Sequence, residues 1–213
     1  MAADTRDSVI VVICALKRES KVLRRGLRRY PGVEIQVSGM GWAAAQQAAE
    51  QRLQRRPLPC LVIVAGFCGA LRPHLKIGDI VRDAQVQTVP QVLMTAEQKQ
   101  LWASRTNALA VDMESAAVTE VCQRYGVPCR IIRSVSDTWD QSLPGELWEC
   151  MRDHRLRVLP LVRSLWQRPA LLRELLRLER QSRQAARTLV QAVQECVGQT
   201  LFPCRQMSSS HPA

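Results

Sequence analysis

Two kinds of hydrophobic pattern alternate along this chain. Residues 8–15 (SVIVVICA) and 60–65 (CLVIVA) are apolar at nearly every position and rich in β-branched side chains. That is the pattern of strands buried on both faces. Residues 33–38, 77–83, 108–111 and 129–135 add further strands. Between them, apolar positions at helical spacing predict helices over 42–55, 112–124 and 169–196. Gly39-Met40-Gly41 is a turn that opens the first of these, and Pro57 and Pro59 close it. Gly126 and Pro128 stop the second, and Pro169 suits a first helical position. The stretch Gly66-Phe67-Cys68-Gly69 reads as a glycine-flanked loop after the strand 60–65. From residue 159 the chain reads as helical, with an unstructured tail over 201–213.

Alternating strands and helices of this length predict an α/β fold. The expected form is a three-layer sandwich on a twisted, mostly parallel central sheet, with a long C-terminal helix and ligands at the carboxyl ends of the strands. A single domain over 1–200 accommodates it, and 46% hydrophobic residues in 213 suffice for a core and exclude a solvated coil. The longest apolar run, 61–71, holds two glycines and falls short of the roughly 20 residues a spanning helix needs. The N-terminus, MAADTRDS, shows no signal-peptide pattern, so a cytoplasmic protein is expected. Eight cysteines without a CxxC pair, mostly in apolar stretches, read as reduced core thiols. The three histidines, at 74, 154 and 211, are not spaced as metal ligands, and no cofactor is implied.

Charge changes the picture only at the C-terminus. Of 30 basic residues against 19 acidic, four are lysine and 26 arginine. GC-rich coding is the bland account of so many arginines. Nine aromatics, none interleaved with arginine, argue against nucleic acid as a partner. Arg173, Arg177, Arg180, Arg183 and Arg187 nevertheless fall on one stripe of the last helix, opposite Leu171, Leu175, Leu178, Ala185, Leu189 and Val193. That stripe is either a solvated face or one that rests on anionic lipid, peripheral at the inner face of a membrane.

Four polar clusters fall just beyond predicted strands: Lys17-Arg18-Glu19, Gly66 to Gly69, Asp112-Met113-Glu114, and Arg133 to Asp137. Each has a structural account as a helix-start acid, cap or turn. Their joint placement at one sheet edge makes them a candidate site. The stretches that hold them, VSGMGWAAAQQAA, VIVAGFCGALRPHLKIGDIV and ALAVDMESAAVTEVCQRYGVPCRIIRSVSD, resemble the nucleoside phosphorylase/nucleosidase superfamily. Its nucleosidase branch has a strand-A-M-x-x-E start, a V-E-M-E ribose motif and an R-x-x-S-D base motif. The matching residues are Ala15 to Glu19, Val111 to Glu114 and Arg133 to Asp137. Within the superfamily, ALAVDMES, Ser142 to Pro144 and the C-terminal RSLWQRPALLRELLRLERQSRQAARTL are similar to the hopanoid-associated phosphorylases, which remove adenine from adenosylhopane.

The resemblance implies cleavage of the N-ribosyl bond of an adenine nucleoside through an oxocarbenium-like transition state. Asp137 would protonate or hydrogen-bond purine N7, with Ser136 fixing its rotamer and burial keeping it protonated. Glu114 would accept the ribose hydroxyls, Met113 would pack on the sugar, Glu19 would orient the attacking water, and Arg133 would set the charge balance. Phe67, Cys68 and Gly69 fall in the stretch similar to the phosphate loop R-V-G-S-C-G-A of hexameric purine nucleoside phosphorylases. There Val64 and Phe67 replace the Arg and Ser that bind phosphate, so hydrolysis is expected, with phosphate the alternative nucleophile. Between GDIV and VDMES this chain has 29 residues, 82–110, where the family usually has a much longer stretch. Val92 and Leu93 would then contact the base, and the missing wall would come from other elements or from a second copy in a homo-oligomer. Alternative activities are methylthioadenosine/adenosylhomocysteine or futalosine nucleosidase, and alternatively a catalytically dead nucleoside-binding protein.

Overall fold

A computed structural model describes residues 9–145, 151–152, 155–156, 168 and 170–201, the four residues 151, 152, 155 and 156 by backbone alone. The elements run β1 (Ile10–Cys14), α1 (Lys17–Gly26), β2 (Val33–Val37), α2 (Trp42–Leu53), β3 (Leu61–Ala70), β4 (Ile80–Arg82), β5 (Val86–Thr88), α3 (Ala96–Arg105), β6 (Ala110–Asp112), α4 (Ser115–Arg124) and β7 (Cys129–Asp137). A small antiparallel pair, β8 (Met151–Arg152) and β9 (Arg155–Leu156), precedes α5 (Ala170–Leu201).

The sheet is mostly parallel, as its buried apolar strands require. β1 lies between β2 and β3, β3 pairs with β7, and β5 pairs with β6, all parallel. β6 on β3 and β4 on β7 are antiparallel. Side-chain alternation divides the core into two layers. Ile10, Val12, Ile63, Ala65 and Ile132 pack against Leu23 and Leu27 and against Leu189, Val193 and Val197, so α1 and α5 cover one face. Val11, Ile13, Val62 and Val64 face Ala45, Ala49, Leu53, Ala117, Val118 and Val121, so α2 and α4 cover the other. This is the expected three-layer sandwich. No helix among the described residues is long and apolar enough to cross a membrane.

Several expectations are corrected. Gly66-Phe67-Cys68-Gly69 is not a loop but the second half of β3, hydrogen-bonded to β7 through to Gly69↔Asp137. Its glycines admit neighbouring side chains rather than ending the strand. The strand expected over 77–83 shrinks to Ile80–Arg82 and ends in a 3-10 turn, Asp83–Gln85. The helix expected from residue 112 starts at Ser115, because Asp112 ends β6 and its carboxylate accepts the Ser115 N–H at 3.0 Å. Helix α3 and strand β5 were not anticipated, and α1 was anticipated only as the helix that Glu19 would start. Cys60 is exposed rather than in the core, while Cys14, Cys68 and Cys122 are buried. α5 continues past residue 196 to Leu201; the tail expected beyond it, residues 159–167, Cys150, Cys204, His154 and His211 lie outside the described residues. The five stripe arginines are all exposed, as are Leu172 and Leu176 on the same helix.

Candidate active site

The carboxyl ends of β1, β3 and β7 open into one cavity of about 230 Å³. It is lined by all eleven residues singled out in the sequence: Glu19, Phe67, Cys68, Gly69, Val92, Leu93, Met113, Glu114, Arg133, Ser136 and Asp137. Arg18 and Asp112, which belong to the same polar clusters, also line it, as do Met40, Lys99 and Leu143, which were not foreseen as site residues.

Glu19 enters from the first turn of α1, 2% exposed. Its Oε2 accepts the Leu16 N–H at 2.8 Å, satisfying a helix-start donor. Its Oε1 accepts the Phe67 N–H at 3.0 Å, which turns the cap toward β3. The same carboxylate is therefore both cap and cavity wall. Burial pushes its pKa up, against the opposing pull of Arg133 and of the two N–H donors, with Glu114 adding to the rise.

Arg133, on β7, is the charge hub. Its guanidinium pairs with Asp112 and, at 3.4 Å, with Glu114, and donates to Ser115 Oγ. Burial alone would lower its pKa, but Asp112, Glu114 and Glu19 outweigh that and raise it. Asp112 is held in turn by Thr88 Oγ1 at 2.7 Å and by the Ser115 hydroxyl. Glu114 Oε1 accepts the Gly41 N–H at 2.8 Å. Gly41 has a φ of +90°, a conformation that glycine adopts at little cost, so the turn after β2 can close on Glu114.

Asp137 ends β7 beside Gly69. Ser136 Oγ donates to its Oδ1 at 2.8 Å, the rotamer lock expected from the sequence. Its Oδ2 accepts from Lys99 Nζ at 2.5 Å. Phe67 contributes its ring to the wall, with the Arg18 guanidinium 5.3 Å from its centroid. Cys68 is buried, and burial drives its thiol pKa far up, so it is packing rather than a nucleophile. Val64 turns into the core away from the cavity. Four carboxylates (Glu19, Asp112, Glu114, Asp137) face three cations (Arg18, Lys99, Arg133) around the cavity. Among the described residues no cluster of His, Cys, Asp and Glu could hold a metal ion.

The same three-layer α/β fold is found in solved nucleosidase structures. The chain superposes on 5′-methylthioadenosine/S-adenosylhomocysteine nucleosidase from Helicobacter pylori, solved with butyl-thio-DADMe-Immucillin-A. The TM-score is 0.67 at 16% identity, covering 91% of this chain and 99% of that one. The futalosine hydrolase of Helicobacter pylori strain 26695 superposes with a TM-score of 0.65, also at 16% identity, over 91% of this chain and 98% of that one. In sequence, residues 85–154 match the Phosphorylase superfamily. Aminodeoxyfutalosine nucleosidase of Helicobacter pylori is 37% identical over 62 residues, which is 29% of this chain and 27% of that protein. The 5′-methylthioadenosine/S-adenosylhomocysteine nucleosidase of Aeromonas salmonicida is 30% identical over 109 residues, 49% of this chain and 44% of that protein. The matched stretch thus spans about a quarter to under half of these relatives' own length.

Proposed function

We propose that the protein hydrolyses the N-ribosyl bond of an adenine nucleoside, with Asp137 meeting the leaving base, Glu114 the ribose hydroxyls and Glu19 the attacking water. The observation that carries this reading is the placement of Glu19 and Asp137 along β3. Glu19 is anchored on the Phe67 N–H and Asp137 lies beside Gly69, two residues further on, which is roughly 7 Å of strand. An acid and a base that enter one cavity from neighbouring points of the same strand can flank a sugar carbon and a water between them. Burial that raises the Glu19 pKa makes it a better proton acceptor for that water.

Hydrolysis is favoured over phosphorolysis by the charge of the cavity. Four carboxylates against three cations repel a phosphate, and Val64 and Phe67 offer it no donor side chain. The cavity lies below the roughly 300–1,000 Å³ usual for small-molecule pockets, so it fits base and sugar and leaves a large 5′ substituent outside. Adenosylhopane fits this arrangement through its bulky 5′ group, and the exposed arginines and leucines of α5 suit a protein that meets such a lipid at an anionic membrane surface.

The test is release of free adenine from methylthioadenosine, aminodeoxyfutalosine and adenosylhopane, each with and without phosphate. Adenine from any of the three without phosphate supports hydrolysis, and their relative kcat/KM assigns the 5′ group. No adenine from any of them rejects the reading.

A further inference from the structure

Lys99 is the group at this site that neither the sequence motifs nor the reading above uses. It sits on α3, is 1% exposed, and belongs to a residue type that is almost never fully buried without a partner. Its three N–H donors are all spent: on Asp137 Oδ2 at 2.5 Å, on Thr138 O at 2.8 Å and on Gln141 O at 2.8 Å. The surroundings fix it there. Thr95 caps α3 by accepting the Gln98 N–H, Ser142 Oγ accepts the Ala96 N–H at 3.1 Å, and the Leu143 N–H reaches Met94 O at 2.7 Å. The start of α3 and the loop after β7 are therefore stitched together around the ammonium.

The geometry also occupies both oxygens of Asp137, Oδ1 by Ser136 and Oδ2 by Lys99. Nζ is thus the charged donor in contact with Asp137. We propose that Lys99 is the positioning and proton-holding residue of this site, acting on the base through Asp137. The assignment rests on the nucleosidase reading above.

The C1′–N9 bond breaks and its electron pair enters the purine. N7 takes a proton from Asp137 Oδ2, and Oδ2 takes one from Nζ, which becomes a neutral amine. Water forms the new bond to C1′ and gives its proton to Glu19, and solvent returns a proton from Glu19 to Lys99 between turnovers. The titratable groups facing the pair are Cys68 on β3 and Asp140 in the loop beyond it. Arg177 of α5 acts on Asp140, and Arg18, Glu19, Asp112, Glu114 and Arg133 share the cavity.

The experiment compares the parent, Lys99→Arg and Lys99→Met, measuring adenine release between pH 5 and pH 10. Lys99→Met should lose on the order of 10²- to 10⁴-fold in kcat, the usual loss on removing a proton donor, with KM within a few-fold. Its remaining activity should lack the alkaline fall of the parent, and Lys99→Arg, which keeps the charge but cannot give up its proton, should keep the fold without restoring the rate. A role confined to holding the loop would lower the active fraction at every pH and leave the alkaline limb where it is; that result overturns the proposal. A second readout does not depend on turnover. The chain has four lysines, so lysine-selective ¹³C NMR resolves the Lys99 Cε signal, assigned by its loss in Lys99→Met. Added adenine should shift that signal in the parent and leave it in place in Asp137→Asn. Absence of adenine release in the parent rejects the nucleosidase reading, and absence of the NMR shift rejects the role of Lys99.

Discussion

Gly69 and Asp137 are register partners across β3 and β7, and a Cβ on Gly69 would stand 3.0 Å from the Asp137 Oδ2 that Lys99 holds. The absence of a side chain at residue 69 is therefore what lets the carboxylate lie flat against the strand. Gly69→Ala should displace Asp137 by a few tenths of an ångström. Under the role proposed for Asp137, that shift acts on rate more than on stability. The expected outcome is a drop in kcat of at least ten-fold with a melting temperature close to that of the parent.

Gly66 should behave differently, because a Cβ there runs into the guanidinium of Arg133, with Glu19 Oε1 only 3.0 Å away. Arg133 is held by Asp112 and Glu114 and has nowhere to move. Gly66→Ala is expected to destabilise the fold by about 1–3 kcal/mol, the usual cost of overpacking. Urea unfolding would read the loss as a lower midpoint at unchanged slope.

Arg133→Met tests the charge hub. The substitution leaves Asp112 and Glu114 buried without their cation, at 5% and 7% exposure. Breaking a buried pair from one side costs roughly 3–5 kcal/mol. Asp112→Asn in the same background should restore part of that stability, since it removes one of the uncompensated charges. Failure of the second change to restore any stability would mean that Glu114 alone carries the penalty.

Much of this site was legible because its residues follow strands. β1, β3 and β7 announce themselves as apolar runs, and Glu19, Glu114 and Asp137 come just after or at the end of strands, where an α/β sheet places ligands. Glycine misled the reading of residues 66–69: it weakens a strand in isolation, but here Gly66 and Gly69 make room for Arg133 and Asp137. Lys99 was invisible for another reason. It lies in AEQKQLWASR, a short, weakly amphipathic segment where a lysine reads as a solvated position. The one available signal was composition, because a chain with 26 arginines and four lysines uses lysine sparingly. Asp112 was taken for a helix-start acid, and it does accept the Ser115 N–H; its pairing with Arg133 needed the fold.

Glu19 gives a pH dependence with a definite sign. Its pKa is raised by burial in the folded protein, so the folded state holds this proton more tightly than the unfolded chain does. Its contribution is fully present below the ordinary carboxylate range and is lost as pH rises through the raised value. Glu19→Gln cannot lose that proton. The stability of Glu19→Gln relative to the parent should therefore improve as pH rises through this window, read as the difference in urea midpoints from pH 4 upward. Under the proposed function adenine release should fall in the same variant, because an amide cannot take the proton from water.

The exposed face of α5 gives the last expectation. Arg173, Arg177, Arg180, Arg183 and Arg187 are all exposed, and among the described residues only Arg183 of the five makes a salt bridge, to Glu179 at 2.8 Å. Leu172 and Leu176, 52% and 51% exposed, stand on the same helix. Basic residues beside protruding leucines are what an anionic lipid surface binds, whereas nucleic acid would favour aromatic platforms over leucine. Each arginine near such a surface contributes about 1 kcal/mol, and the Debye length falls to about 3 Å at 1 M salt. The protein should therefore co-sediment with phosphatidylserine-containing vesicles more than with neutral ones, and salt should release it. Replacing the five arginines by glutamine keeps helix propensity similar while removing the charge. That variant should lose vesicle binding and keep adenine release from methylthioadenosine, because none of the five lines the cavity. Equal sedimentation of variant and parent would leave the stripe as a solvated face, and coding bias would then account for the arginines.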